Sequence, residues 1–222
     1  MKFKTPVVAN FAGLLVTAST LGGGGPAFGR QAHHGLVADS PATVTAPMTF
    51  GGFNPERAAR YGYDVRTDEQ GWQYAVPSGT PAGSAVGSSL KYNPATGQVM
   101  QPLSHGGFVK PMNTVPSNCG TSTLTLYTKT SGYTAYNLNG SAGAALYHTW
   151  RISMSARTGN QIVNRDGFPP FPGVSLSWGT NFSYNVHAVI PTTITGVVST
   201  GVVETELGRC YAAGPRDTFR YE

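Results

Sequence analysis

The sequence predicts an all-β protein: an antiparallel β-sandwich of about seven or eight strands, jelly-roll or Ig-like in kind. Ahead of it stands a mostly disordered N-terminal extension that carries one short helix and one hairpin. Three observations predict this class. Between Cys119 and Cys210 apolar and polar residues alternate with period two, the pattern of half-buried strands rather than helices. The same interval is rich in Thr, Val, Ser and Tyr, which suit a pleated, half-buried surface. Turn signals recur at the short spacing that sandwiches and barrels need.

From the N-terminus, residues 1–29 read as a signal peptide: Lys2 and Lys4, an uncharged run from Pro6 to Leu21, then glycines and the small residues Ala27 and Gly29. The run contains Asn10, Thr17 and Ser19 and is too short and polar for a span of about 20 apolar residues. Residues 30–50 hold Gly, Ala, Pro, Thr and the pair His33-His34 without periodicity, which predicts a disordered tether. Residues 51–77 form a helix-hairpin module. Asn54 is the N-cap, Pro55 the first helical residue, Glu56 lies in the first turn and Gly62 is the stop. The hairpin joins Tyr63–Arg66 to Trp72–Val76 around Thr67–Gly71. Such a module is too small to bury a core of its own, so it packs on the larger domain, serves as a pro-segment or stays partly ordered. Residues 78–104 return to Pro, Gly, Ser and Ala, the composition of a linker.

Residues 105–222 make the β-domain. Strands are predicted at Ser122–Lys129 and Tyr133–Leu138, then at Ala145–Ala156, where Leu146, His148, Trp150, Ile152 and Met154 alternate with Tyr147, Thr149, Arg151, Ser153 and Ser155. Gln161–Asn164 follows a turn. After a Pro-rich loop at Phe168–Gly173, one strand is marked by Val174, Leu176 and Trp178 and another by Phe182, Tyr184, Val186, Ala188 and Ile190. Residues Thr192–Leu207 give one long strand or a hairpin broken near Ser199–Gly201. Downstream of an export signal, Cys119 and Cys210 are expected to form one disulfide, before the first of these strands and after the last.

Charged residues make up 11% of the chain against about 25% in an average soluble protein. The formal charge is +5 and falls to about +3 without Lys2 and Lys4, with the basic residues scattered singly. Nucleic-acid binding, which clusters Lys and Arg on one face, is therefore not expected. Neither a Gly-x-Ser-x-Gly elbow, a phosphate-cradling loop nor a His-Glu-x-x-His pair occurs, so no catalytic residue, metal or cofactor is assigned. The acidic residues between the cysteines are Asp166, Glu204 and Glu206. Glu204 and Glu206 stand about 7 Å apart on one strand face, yet they alternate with Val203, Thr205 and Leu207 as a solvated face does. Asp166, at Arg165-Asp166-Gly167, suits a turn. His148 lies in register with Trp150 and Ile152 and reads as a core histidine, whereas His187 alternates with Ser183 and Asn185 on a polar face. His33, His34 and His105 fall in polar or Gly-rich stretches.

Aromatic residues give the functional hint. Tyr127, Tyr133 and Tyr147 fall on faces otherwise held by Thr or Ser and would form a polar aromatic outer surface; Tyr184 and His187 complete the candidate binding set. Cross-strand pairing on a solvent face accounts for such tyrosines as well. The string from Asn54 to Gly71 (NPERAARYGYDVRTDEQG), with a signal before it and a two-cysteine β-rich region after it, resembles uncharacterised secreted proteins of actinobacteria. The resemblance implies a secreted origin and a β-domain and carries no activity. The sequence thus points to a secreted or envelope-associated non-catalytic protein that binds a polymer such as a carbohydrate, or a protein partner, with no membrane association once the signal is cleaved. Two alternatives stand beside it: an extracellular hydrolase using His187 or His148 with a nearby carboxylate, and a pro-protein that releases the C-terminal domain.

Overall fold

A computed structural model describes residues 43–84, 90–101, 118–187 and 192–221. The predicted signal peptide, most of the tether and His33, His34 and His105 lie outside these residues. In chain order the elements are β1 (Val44–Phe53), α1 (Pro55–Arg60), β2 (Tyr63–Thr67), β3 (Gln73–Pro77), β4 (Lys91–Asn93), β5 (Gln98–Met100), β6 (Gly120–Thr128), β7 (Ser131–Leu138), β8 (Ala145–Ala156), β9 (Gly159–Asn164), β10 (Ser177–Ser183), β11 (Thr192–Thr205), β12 (Gly208–Ala212) and β13 (Arg216–Tyr221). The protein is all-β and antiparallel, as the alternation predicts.

Nine strands form one continuous sheet in the order β10-β7-β6-β1-β12-β11-β8-β9, with β13 also paired to β11. β11 runs along β8 on one side; on the other, Thr192–Val197 pairs with β13 and Val202–Glu204 with β12. The sheet curls nearly into a barrel around one core rather than forming two separate layers. Tyr136 of β7 meets Trp150 of β8 with ring centroids 5.7 Å apart. Opposite Leu124 and Leu126 of β6 stands Gly196 of β11, where a Cβ would lie 3.3 Å from both leucines and 3.1 Å from the Met154 sulfur. A side chain there would press on all three, so glycine at 196 suits the close approach of β6 and β11. β8 justifies its pattern: His148, Trp150, Ile152 and Met154 are buried while Tyr147, Thr149 and Arg151 face outward.

Several expectations are corrected. Residues 44–50 of the predicted tether belong to β1, which lies between β6 and β12. Met48 and Phe50 are buried and Thr45 and Thr49 exposed, a period-two pattern that Pro47 disguises. Pro47 stands one residue before the pairing with β12 begins at Met48, so its missing N–H breaks no bond of that ladder. The predicted linker 78–104 contains β4 and β5, which extend the hairpin into a four-stranded sheet, β2-β3-β4-β5. Their three-residue length and the Pro and Gly between them hid them, yet Leu90 and Val99 are buried in the main core. Among the described residues of 174–187 one strand, β10, stands where the sequence predicts two: Gly179–Asn181 continues the ladder to β7, and Ala188 and Ile190 of the second expected strand lie outside the described residues. Finally, Cys210 lies within β12, and β13 follows it.

The helix-hairpin module is built as its sequence dictates. The Asn54 side chain accepts from Arg57 N at 2.9 Å, Pro55 opens α1, and Tyr61 ends it. Asp68 accepts from Gln70 N at 3.1 Å and Trp72 N at 2.9 Å and pairs with Lys91 Nζ at 2.7 Å, which fixes the β2–β3 turn and ties it to β4. Burial raises the Asp68 carboxyl, but Lys91 and the two amides outweigh it and hold it below its usual range.

Arg57 docks this module on the large sheet. Its Nη1 donates to the carbonyls of Thr205 at 3.0 Å and Gly208 at 2.9 Å, and its Nη2 lies 2.5 Å from Glu204 Oε2. Asn54 N also donates to Leu207 O at 2.8 Å. Ala58, Ala75 and Leu207 close the apolar contact beneath.

Arg57→Met is expected to cost about 2 kcal/mol, the scale of hydrogen bonds from a charged donor. Gly120→Ala is expected to cost about 3 kcal/mol, since Gly120 has φ +140° and a Cβ would overlap the Asn137 carbonyl. Urea unfolding of the oxidised protein measures both.

Candidate functional site

The residues that could carry acid–base chemistry are mostly committed to the fold. Glu204 accepts the Arg209 guanidinium at 2.7 Å while its other oxygen faces Arg57, off the hydrogen-bond axis, so charge rather than a directed bond holds that contact. Glu206 accepts from Ala144 N at 3.0 Å. Asp166 accepts from Trp150 N at 2.7 Å and lies 3.9 Å from Arg151. Among the described residues no cluster of His, Cys, Asp and Glu has the geometry of a metal site.

His148 is a core histidine. It is buried against Trp178 at 4.1 Å between ring centroids, and its Nδ1 is 3.5 Å from the Tyr136 hydroxyl. Burial lowers its pKa, opposed by a hydrogen bond with the Arg165 carbonyl and by the Asp166 charge. His148 and Asp166 are therefore neighbours, but the histidine ring is buried in the core while Asp166 stands at the surface with its carboxylate bonded to Trp150 N.

The candidate binding residues do not form one site. Tyr127, Tyr133 and Tyr147 do face outward. Tyr127 and Tyr133 share the adjacent strands β6 and β7, while Tyr147 stands on β8, whose neighbours are β11 and β9. Tyr133 lies across Gly179 of β10, the packing role that cross-strand pairing predicted. Tyr184 is corrected to a core residue. Its hydroxyl donates to Thr128 O at 2.5 Å, and burial together with the Asp217 charge pushes its phenol up to about 12. His187 is exposed and lines a cleft of about 190 Å³ with Lys129, Thr130, Asn185 and Val186, without a carboxylate or any of the tyrosines.

One loop carries several of the most exposed large apolar side chains among the described residues, and it was not read from the sequence as a site. Phe168, Phe171 and Val174 are 70%, 69% and 74% exposed, and Leu176 also faces solvent. The loop that carries them is not loose. Arg165 N donates to Trp150 O at 2.7 Å, Gly167 and His148 exchange both backbone bonds at 2.9 and 2.8 Å, and Gly173 N and Ser175 O bond Ala145 at 2.9 and 2.8 Å. At the far end Leu138 N donates to Leu176 O at 2.7 Å. The loop therefore spans from β8 to β7, with Pro169 buried beneath it. Tyr147 packs edge-on against Phe168 with ring centroids 5.2 Å apart, which brings one predicted tyrosine into this surface. The signal was present in Phe168-Pro-Pro-Phe-Pro, whose apolar residues follow neither strand nor helix period.

A protein-family model, a characterised protein or a solved structure that matches this chain was not found in any of the three comparisons. The class is accordingly defined by the fold: an all-β protein with a Cys119–Cys210 disulfide. Among the described residues no helix is long and apolar enough to cross a membrane.

Neutral His148 stabilises the fold where the unfolded chain is also unprotonated, above about pH 6.5. As the pH falls from there through the lowered folded value, that stability is lost, because the unfolded chain binds the proton first. Urea midpoints between about pH 5 and 7 are expected to fall with acid in the wild type and to flatten in His148→Gln. An unchanged slope in the variant contradicts the assignment.

Proposed function

We propose that this chain is an exported, non-catalytic binding protein that attaches to an extracellular polymer, a carbohydrate in the first instance, through the surface around Tyr147, Phe168 and Phe171. One observation carries the reading: a domain poor in charge presents Phe168 and Phe171 to solvent on a backbone pinned at both ends. Exposed apolar patches of this kind mark interaction sites, and a rigid loop loses little freedom on binding. Aromatic rings offer flat apolar area to the C–H faces of sugars, and Arg151, Asn164 and Arg165 lie in the strands and turn alongside to meet hydroxyl groups. Export is supported by the N-terminal charge and apolar pattern and by a buried disulfide between the two cysteines of the chain.

The two alternatives have less behind them. A hydrolase needs a carboxylate that orients an accessible histidine, whereas Glu204, Glu206 and Asp166 are bonded to backbone or to arginine, and His187 lies in a cleft without an acidic residue. Release of a C-terminal fragment would take β1 from between β6 and β12. A protein partner is favoured over a sugar by one observation: Val174 and Leu176 add aliphatic area that does not stack on a pyranose ring.

Retention on insoluble cell-wall polysaccharide is expected for the full exported chain, and Phe168→Ala/Phe171→Ala is expected to weaken it about tenfold, or about 1.4 kcal/mol. Equal retention of the variant contradicts the proposed surface.

A further inference from the structure

The sequence scatters its basic residues singly, but the fold gathers Arg151, Arg157, Arg216 and Arg220 on one face of the main sheet. Across the neighbouring strands β13, β11, β8 and β9 the register sets Arg216, Val197, Ser153 and Ile162 side by side. The next row is Thr218, Thr195, Ser155 and Asn160. Arg220 stands opposite Thr193 and Arg151 opposite Asn164, and Arg157 follows in the turn between β8 and β9. The alternation shows that these rows point outward. Ile152 and Met154 of β8, Val163 of β9 and Ile194 and Val198 of β11 are buried on the other face, and Phe219 of β13 packs against the core. All four arginines are exposed.

The carboxylates near this face are turned away or already bound. Asp217 alternates with Arg216 and Thr218, and on the inner side its Oδ2 accepts from Leu126 N at 2.7 Å. Glu204, toward the other end of β11, is held between Arg57 and Arg209. Asp166 lies 3.9 Å from Arg151 and offsets part of its charge. Arg157, Arg216 and Arg220 have no ion pair among the described residues. Arg216 and Arg220, four residues apart on an extended strand, have Cα atoms about 13 Å apart, and β8 lies two strand spacings from β13, about 10 Å. The positive charge is therefore spread over the face, with hydroxyl and amide groups of Thr195, Thr218, Ser155 and Asn160 between the arginines, and does not converge on a pocket.

We propose that this face binds an anionic polysaccharide, a sugar chain that repeats a carboxylate or a phosphate along its length. Each guanidinium offers a fork of N–H donors that matches such an oxyanion, and a field of one sign concentrates an anionic chain at the surface. Charge that is spread out suits a ligand whose own charge repeats, and the hydroxyl and amide groups between the arginines suit sugar hydroxyls. Among the described residues of these rows there is no aromatic ring on which a nucleic-acid base would stack, and Val197 and Ile162 are too little apolar area for the core of a protein interface. The outward residues of β8 run from Tyr147 through Thr149 and Arg151 to Ser155, so the basic face continues the surface of Tyr147 and Phe168. That continuity selects a polysaccharide, a step that rests on the binding role proposed for the aromatic surface, whereas the charge of the polymer is read from the arginines alone.

The test measures binding of the full exported chain to polygalacturonate and to phosphomannan, each against its uncharged counterpart, methyl-esterified polygalacturonate and neutral mannan. A charged polymer is expected to bind at least tenfold more tightly than its counterpart and to be weakened by added salt; polygalacturonate alone assigns a carboxylate and phosphomannan alone a phosphate. Arg216→Gln/Arg220→Gln is expected to melt at the wild-type temperature and to lose at least tenfold in affinity for the charged polymer, with its affinity for the neutral one unchanged. No binding of either charged polymer, equal binding of charged and neutral polymers, or wild-type affinity in the arginine variant overturns the proposal. Duplex DNA bound as tightly as the polysaccharide overturns the choice of polymer. Phe168→Ala/Phe171→Ala separates the two surfaces. Loss of affinity in that variant alone removes the basic face and keeps the aromatic one, and loss in the arginine variant alone does the reverse.

Discussion

The main sheet depends on the point where Asn118, Cys119 and Cys210 meet β1. Cys119 N donates to Met48 O at 3.1 Å, and two residues along β1 Phe50 N donates to the buried Asn118 Oδ1 at 2.6 Å. Cys210 of β12 stands opposite Phe50, and its disulfide to Cys119, with Cα atoms 5.9 Å apart, links the two strands that flank β1. The Asn118 carbonyl accepts from Gln101 Nε2 at 2.8 Å, Asn139 Nδ2 at 3.0 Å and the Ser141 hydroxyl at 3.1 Å, which ties the end of the small sheet and the β7–β8 connection to the same node. With a sequence separation of 91, the chain-entropy model assigns the cross-link about 4 to 5 kcal/mol. That constraint sets the gap which β1 fills, and β1 in turn supplies Met48 and Phe50 to the core.

The consequence for function follows from where the scarce charges go. A sheet that must close on itself with 11% charged residues uses its carboxylates as structural acceptors: Glu204 for two arginines, Glu206 and Asp166 for backbone amides, Asp217 for the end of β6. Beside arginines such as Arg151, Arg157 and Arg209, much of what faces solvent is aromatic, aliphatic and amide. The loop at residues 165–176 and the cleft at His187 are both held by backbone bonds to strand ends, the places where a rigid scaffold can present side chains.

Much of the sheet was legible because the alternation is local. β8 is predicted at the same bounds, Ala145–Ala156, and β6, β7 and β9 within two residues. The helix was legible from Asn54, Pro55 and Glu56 because capping is also local. What escaped was non-local or short. Pro47 hid β1, whose partners lie more than 70 residues away; β4 and β5 are too brief for any period; and Gly179 looked like a turn although Tyr133 covers it. Of the candidate site, His187 and Tyr147 were placed outside as expected, but Tyr184 was not, since its parity with Phe182 and Val186 outweighs its hydroxyl, which finds Thr128 O inside. The apolar loop left a signal in its aperiodic Phe168–Pro172 string, but that its residues face outward depends on tertiary bonds to β7 and β8 that no local pattern encodes.

The central claim is that β1 is an interior strand of the domain and not a tether. Hydrogen exchange of the oxidised, full exported chain tests it at single amides. The account predicts that Phe50 N–H and Cys119 N–H exchange as slowly as the β8–β11 ladder, and that all of them open together when the disulfide is reduced. Exchange of Phe50 at the rate of an unstructured peptide, with β8 and β11 still protected, would contradict it.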